Sequence, residues 1–202
     1  VEYSKSAGLS IMADVYGYKS FQLARDLEVD GFKIHSEDLL NSFFIRDVVE
    51  SGKLTLLGIG GCKRKELYEI CELLSKSNSE QSVVLMTGVQ TFPTPIEAHS
   101  IYEIGELIEK YTNKYGVKIG FSDHVSGENE DAMILPLMAL AKGAVLIEKH
   151  LTINRNEKWI DYHSALNADE FVKFVKQIKR LAPLLSMSNK VTPSELSYRK
   201  MF

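Results

Sequence analysis

The chain has 202 residues, 45% hydrophobic and 25% charged, enough for one sizeable globular core and marginal for two domains. A formal net charge of -3, with Lys and Arg scattered rather than striped, argues against a nucleic-acid partner held by phosphate neutralisation. No apolar run reaches membrane-spanning length and the first residues carry no signal-peptide pattern, so no membrane partner is expected. Cys62 and Cys71 stand in no metal or redox spacing and read as reduced thiols of a cytoplasmic protein.

The first predicted strand, at about 9–15, ends in Asp14. The second, at about 31–36, runs into Lys33-Ile34-His35-Ser36-Glu37-Asp38, whose alternation lets Lys33 point inward. A lysine there is a Schiff-base nucleophile, an anion clamp or a structural partner of Glu37 or Asp38, and the spacing leaves all three open. The third strand, at about 53–59, ends in Gly58-Ile59-Gly60-Gly61, which reads as a tight turn because it lacks the full dinucleotide fingerprint. A helix follows, with Tyr68, Cys71 and Leu74 on one face. After the fourth strand, at about 82–88, comes Gln90-Thr91-Phe92-Pro93-Thr94-Pro95, a rigid loop exit, and then a helix carrying Ile101, Ile104, Ile108 and Tyr111.

The fifth strand, at about 117–121, closes in Ser122-Asp123-His124, and the sixth, at about 144–149, in Glu148-Lys149-His150. Runs such as Val83-Val84-Leu85-Met86 and Ala144-Val145-Leu146-Ile147 do not alternate with polar residues, as expected of strands buried on both faces of a parallel sheet. Trp159-Ile160-Asp161 follows, which as a lone segment reads as an ordinary exposed loop and in a site would let Trp159 form a wall and Asp161 bind a sugar hydroxyl. A last helix, at about 168–182, opens on Asn167 as N-cap with Asp169 and Glu170 in its first turn.

Alternating strands and helices suit either a doubly wound sheet or a (β/α)8 barrel. Polar or glycine clusters at nearly every strand end favour the barrel, which collects its chemistry from many strands, over the open sheet, which concentrates it at one switch point. Six strands are two short of closure, so about six of the eight β/α units are expected. A lone histidine is more often a hydrogen-bonded rim residue. As a matched pair at equivalent ends of neighbouring strands, His124 and His150 point to one shared divalent ion with positions open for water or substrate oxygen. Glu148, two residues before His150 and on the same face, is placed to orient a ligand imidazole.

In order, Phe32 to Asp38, Ser51-Gly52-Lys53, Phe92-Pro93-Thr94-Pro95, Gly120 to His124, Gly143 to His150, and Asp161 resemble the sialic acid synthase family of phosphoenolpyruvate-condensing enzymes. That resemblance implies a (β/α)8 barrel followed by an antifreeze-like domain, in a swapped homodimer. It implies that this chain holds strands three to eight, a partial barrel over 1–185 with a linker toward that domain over 186–202, where the tail from Val191 resembles the family's linker. It implies condensation of phosphoenolpyruvate with an N-acyl amino sugar of the N-acetylmannosamine type to a nonulosonic acid. His124 and His150 would hold the metal, Mn2+ first with Mg2+ or Co2+ as alternatives. Lys33, Ser36 and Ser122 match phosphoenolpyruvate-holding positions, and Asp38 and Asp161 match carboxylates on the amino-sugar side. Three positions depart from the family pattern: Asp14 stands for a hydroxyl, Gly58 for a serine, and Gln90-Thr91-Phe92 for Asn-x-Tyr. These departures keep a rival open, a non-catalytic or divergent barrel domain that binds a sugar phosphate within a larger polysaccharide-biosynthesis protein.

Overall fold

The computed structural model describes residues 1–77, 82–185 and 191–202. A short helix, α1 (Glu2–Ser6), leads into β1 (Met12–Asp14), and strands and helices then alternate. They run α2 (Tyr18–Asp26), β2 (Gly31–Ile34), α3 (Ser42–Val49), β3 (Leu54–Gly58), α4 (Arg64–Lys76), β4 (Val83–Thr87) and α5 (Ile101–Leu107). A π-helical turn (Ile108–Thr112) joins α5 to α6 (Asn113–Tyr115), followed by β5 (Lys118–Asp123), α7 (Asp131–Ala141) and β6 (Ile147–Lys149). The six strands form one sheet in the order β1-β2-β3-β4-β5-β6, every pairing parallel. A doubly wound sheet reverses its strand order at a switch point, and this one never does. The order is that of a (β/α)8 barrel wall with six of its staves.

Strand alternation sorts the core into two layers. Phe32, Ile34, Leu57, Leu85, Ile119 and Phe121 face outward and join the main core with Phe44, Ile45, Leu74 and Ile104 of the surrounding helices. Leu56, Val84 and Met86 form a smaller inner cluster, with Met12 and Leu146 packed on it. Two glycines make room for the inner methionines: a Cβ on Gly31 would lie 2.4 Å from Met12 Sδ, and one on Gly120 2.4 Å from Met86 Sδ. Large side chains on one strand thus interlock with none on the next, the filling that a small barrel needs.

Several expectations change at the margins. Tyr68 leaves the buried face of α4 and is 48% exposed, with Lys114 Nζ 4.9 Å above its ring, whereas Cys71 and Leu74 are buried. The sixth strand shrinks, and Val145, expected to be buried, is 59% exposed. The cause is position: among the described residues β6 has a neighbour on one side only. Beyond it, β7 (Leu151–Thr152) and β8 (Leu166–Asn167) pair with each other and lead into α8 (Ala168–Leu185). Asn167 does not cap α8 with its side chain; its Oδ1 accepts from Arg155 N–H at 2.8 Å, while Glu170 reaches back to Asn167 N–H. Of the expected linker, 186–190 lie outside the described residues, and the rest holds α9 (Pro193–Arg199), opened by a Thr192–Glu195 capping box.

The outer edges of β1 and β6 are unpaired among the described residues, and a cavity of about 670 Å³ opens between them. Met12, Leu146 and the apolar stripe of α8 (Phe171, Phe174, Val175) line its apolar part, and Lys33, Glu148 and His150 also border it.

Candidate functional site

β5 and β6 run in register, Ser122 opposite Glu148 and Asp123 opposite Lys149, so His124 and His150 follow at the same height. Their ring centroids are 5.3 Å apart. Alternation sends Ser122, His124, Glu148 and His150 toward the barrel axis and Asp123 and Lys149 to the outer side.

His124 is 2% exposed and held from three directions. Its Nδ1 lies 2.9 Å from the Val89 carbonyl and donates to it, which leaves Nε2 as the lone-pair nitrogen. Its own carbonyl accepts from Thr94 N–H at 2.8 Å and Ser164 Oγ at 2.7 Å. His150 Nε2 is buried with no protein partner, and so is Ser122 Oγ. Phe92 closes over both rings, 4.7 Å from His124 and 5.4 Å from His150 between centroids. Burial pushes both imidazoles below the ordinary histidine range. For His124 the Val89 carbonyl opposes that shift, and for His150 the Asp161 carboxylate does. Two neutral imidazoles with free lone pairs are the form in which histidine ligates metal. Among the described residues no group of three or more His, Cys, Asp or Glu is arranged to hold a metal.

Lys33 does not pair with Glu37 or Asp38. Its ammonium lies 2.7 Å from Glu148 Oε1 and 4.0 Å from Asp14 Oδ1, inside the barrel. Glu148 therefore turns to Lys33 rather than to His150, with His124 Nε2 3.9 Å away, and the Val89 carbonyl is what orients His124. Asp14 sits as a second counter-charge to the same lysine.

Ser36, Gly58 and Gln90 meet at one point of the mouth: a Cβ on Gly58 would lie 3.0 Å from Ser36 N and 3.5 Å from Gln90 Nε2. Asp38 lies on the short helical turn Ser36–Asp38 just beyond β2. Asp161 stands at φ 58°, close enough for its charge to act on His150 and Tyr16. Trp159 does not line the central cavity; it is 68% exposed, its indole N–H donating to Glu157. The glycine segment is a tight turn, with Ile59 N–H donating to Met86 and Cys62 N–H to Ile59. A Cβ on Gly60 would come within 2.1 Å of the Gly88 carbonyl oxygen. No sequence motif marks Val89, Thr94 or Ser164 as fixings of His124, or Asp123 and Lys149 as a pair. For the last, the sequence offers a trace: the middle letters of two motifs carry opposite charge.

The sequence profile of the NeuB family matches residues 1–190. The chain belongs to the NeuB family. The pseudaminic acid synthase of Campylobacter jejuni is 27% identical over 179 residues, covering 89% of this chain and 49% of that protein. Among solved structures, the sialic acid synthetase of Leptospira borgpetersenii, crystallised with citrate, superposes with a TM-score of 0.86 at 25% identity, covering 99% of this chain and 67% of that one. The DAHP synthase of Thermotoga maritima shares the fold, with a TM-score of 0.75 at 20% identity over 91% of this chain and 54% of that one. This NeuB-family chain spans about half the length of the curated relatives it matches. No helix among the described residues is long and apolar enough to cross a membrane.

Proposed function

We propose that this chain carries the metal-binding and anion-facing part of a nonulosonic acid synthase, which condenses phosphoenolpyruvate with an N-acyl amino sugar. The observation that carries this reading is the pair of level, neutral imidazoles with His150 Nε2 unpartnered, next to an unpartnered Ser122 hydroxyl and a buried lysine. His124 and His150 fit a divalent ion, Mn2+ by preference and Mg2+ or Co2+ otherwise, which when bound would supply Lewis-acid polarisation of the sugar's aldehyde carbonyl.

The chain's own residues supply the rest. Lys33, held by Glu148 and Asp14 in the free state, exchanges these carboxylates for the phosphate and carboxylate of phosphoenolpyruvate. Ser122 Oγ, already stripped of water and unpartnered, donates to the same anion, with Ser36 and Gln90 across the mouth. Gly58 brings no hydroxyl, and the space it leaves lies against Ser36 N–H. Asp38 and Asp161 accept from the sugar hydroxyls, and Phe92 keeps water off the imidazoles. The new bond joins C3 of phosphoenolpyruvate to the sugar's C1. Water then adds at C2 and inorganic phosphate leaves with C–O cleavage.

One observation favours the rival, a barrel that binds a sugar phosphate without turnover: two carboxylates already compete for Lys33. The full protein assayed with phosphoenolpyruvate and N-acetylmannosamine or diacetamido sugars, with and without Mn2+, separates the two. Phosphate release dependent on both substrates supports the synthase, and its absence from folded protein with every sugar sinks it.

A further inference from the structure

Behind the two histidines, on the outer face of the sheet, lies an ion pair that the proposed chemistry does not use. Lys149 Nζ donates to Asp123 Oδ2 at 2.7 Å, with the lysine side chain 2% exposed and the aspartate 0%. The other carboxylate oxygen accepts from Val125 N–H at 3.0 Å. Asp123 and Lys149 are Cα partners across β5 and β6, each immediately before one of the histidines.

We propose that Asp123 and Lys149 are positioning residues that lock the register of β6 on β5 and so hold the His124 and His150 imidazoles at ligand spacing. The consequence for metal rests on the reading above; the register claim does not. β6 is three residues long and has one neighbour among the described residues, so few ladder hydrogen bonds define its register. A slip of one residue would send His150 to the outer face, and a slip of two would keep the face but move it by about 6.6 Å along the strand. Hydrophobicity does not distinguish the two-residue slip, because the alternate positions on either side of Lys149 are Ile147 and Leu151, both apolar. Charge does distinguish it: any other register buries the ammonium away from its carboxylate. An apolar pair would fill the space as well without marking the register, so placement rather than stability is what this pair contributes. His124 has its own fixings to Val89, Thr94 and Ser164, whereas His150 depends on its strand and on one bond from Leu166 N–H to its carbonyl.

The test is the full protein with Asp123→Asn and Lys149→Met combined, the asparagine keeping an acceptor for Val125 N–H. Two readouts apply: Mn2+ affinity by calorimetry, and the imidazole nitrogen signals of His124 and His150 by NMR in metal-free protein. The expected result is a cooperatively folded variant with Mn2+ affinity down by about tenfold or more and a displaced His150 signal. A folded variant with parental affinity and parental signals overturns the proposal. Should the parent bind no Mn2+, the metal reading fails separately, and the NMR alone decides: a displaced His150 upholds the register role, an unchanged one removes it. If the double variant does not fold, Lys149→Arg carries the test. It keeps the charge, so it keeps both readouts if the ion pair sets the register, and a loss of either overturns the assignment.

Discussion

Lys33 shows how one side chain's partners decide what it can do. It had three readings in the sequence, and the structure removes one, since neither Glu37 nor Asp38 is its partner. A Schiff-base lysine needs its nitrogen free to attack a carbonyl, whereas Lys33 Nζ is engaged by Glu148 with Asp14 beside it, the setting of a side chain that holds anions. Lys33→Met should therefore weaken phosphoenolpyruvate binding by about 10- to 100-fold, the worth of a charge-assisted hydrogen bond, as read by calorimetry. Borohydride trapping of substrate on Lys33 would contradict it.

His99 offers a second residue-scale expectation. Both its ring nitrogens are buried without a protein partner, and its ring packs edge-on against Phe121 at 5.6 Å. Burial lowers its pKa from 6.5, with nearby Asp123 opposing and Lys149 reinforcing. The folded state thus binds the proton less readily than the unfolded chain. Stability is complete above the unfolded value and is lost as pH falls below it toward the depressed folded value. His124 and His150 act in the same direction. His99→Phe should flatten, without abolishing, the loss of unfolding free energy between about pH 7 and about pH 5. A pH profile parallel to the parent's would show that His99 contributes nothing. The candidate donors, the histidine pair and Lys33, were legible because strand ends announce themselves. The fixings were not: Val89 and Thr94 hold His124 through backbone atoms that every sequence has, and Ser164 does so through a hydroxyl 40 residues away in the chain.

At the level of elements, strand existence was legible and strand limits were not. Apolar runs located all six strands, but β5 extends to Asp123 and β6 starts only at Ile147, because the ladder, not the apolar run, sets where a strand stops. Asn167 shows the same limit, since a good N-cap residue was drawn to Arg155 instead. Gly88 is where one element's backbone positions another's side chain. It adopts φ 133°, and a Cβ there would lie 2.2 Å from the Ser122 carbonyl oxygen, so β4 and β5 approach closely only because it has none. Val89, whose carbonyl orients His124, comes next. Gly88→Ala should cost about 2–4 kcal/mol of folding stability, combining backbone strain with overpacking, and weaken Mn2+ binding beyond the loss of folded protein. Urea unfolding with metal titration of the folded fraction measures both. A loss below about 1 kcal/mol would mean the strands can separate without penalty.

For the whole molecule, the barrel was legible from the distribution of polar strand ends, and the sheet order supports it independently. The burial of the sixth strand was misjudged because composition describes a strand's two faces and says nothing of its two edges. The edges of β1 and β6 leave backbone groups without cover from the described residues, beside a cavity of about 670 Å³ that α8 lines in part. Parallel edges of this kind recruit other chains unless charge, proline or a covering element blocks them. The 202-residue chain expressed alone should associate in a concentration-dependent way and bind a hydrophobic dye, both measurable by sedimentation velocity and fluorescence. Val145→Lys, at a side chain already 59% exposed beside β6, should reduce both without altering the core. A polypeptide that supplies two further β/α units across the gap should abolish both, because closing the barrel removes the edges. A monomer at every concentration, with no dye bound, would mean that the β1 and β6 edges already meet in solution.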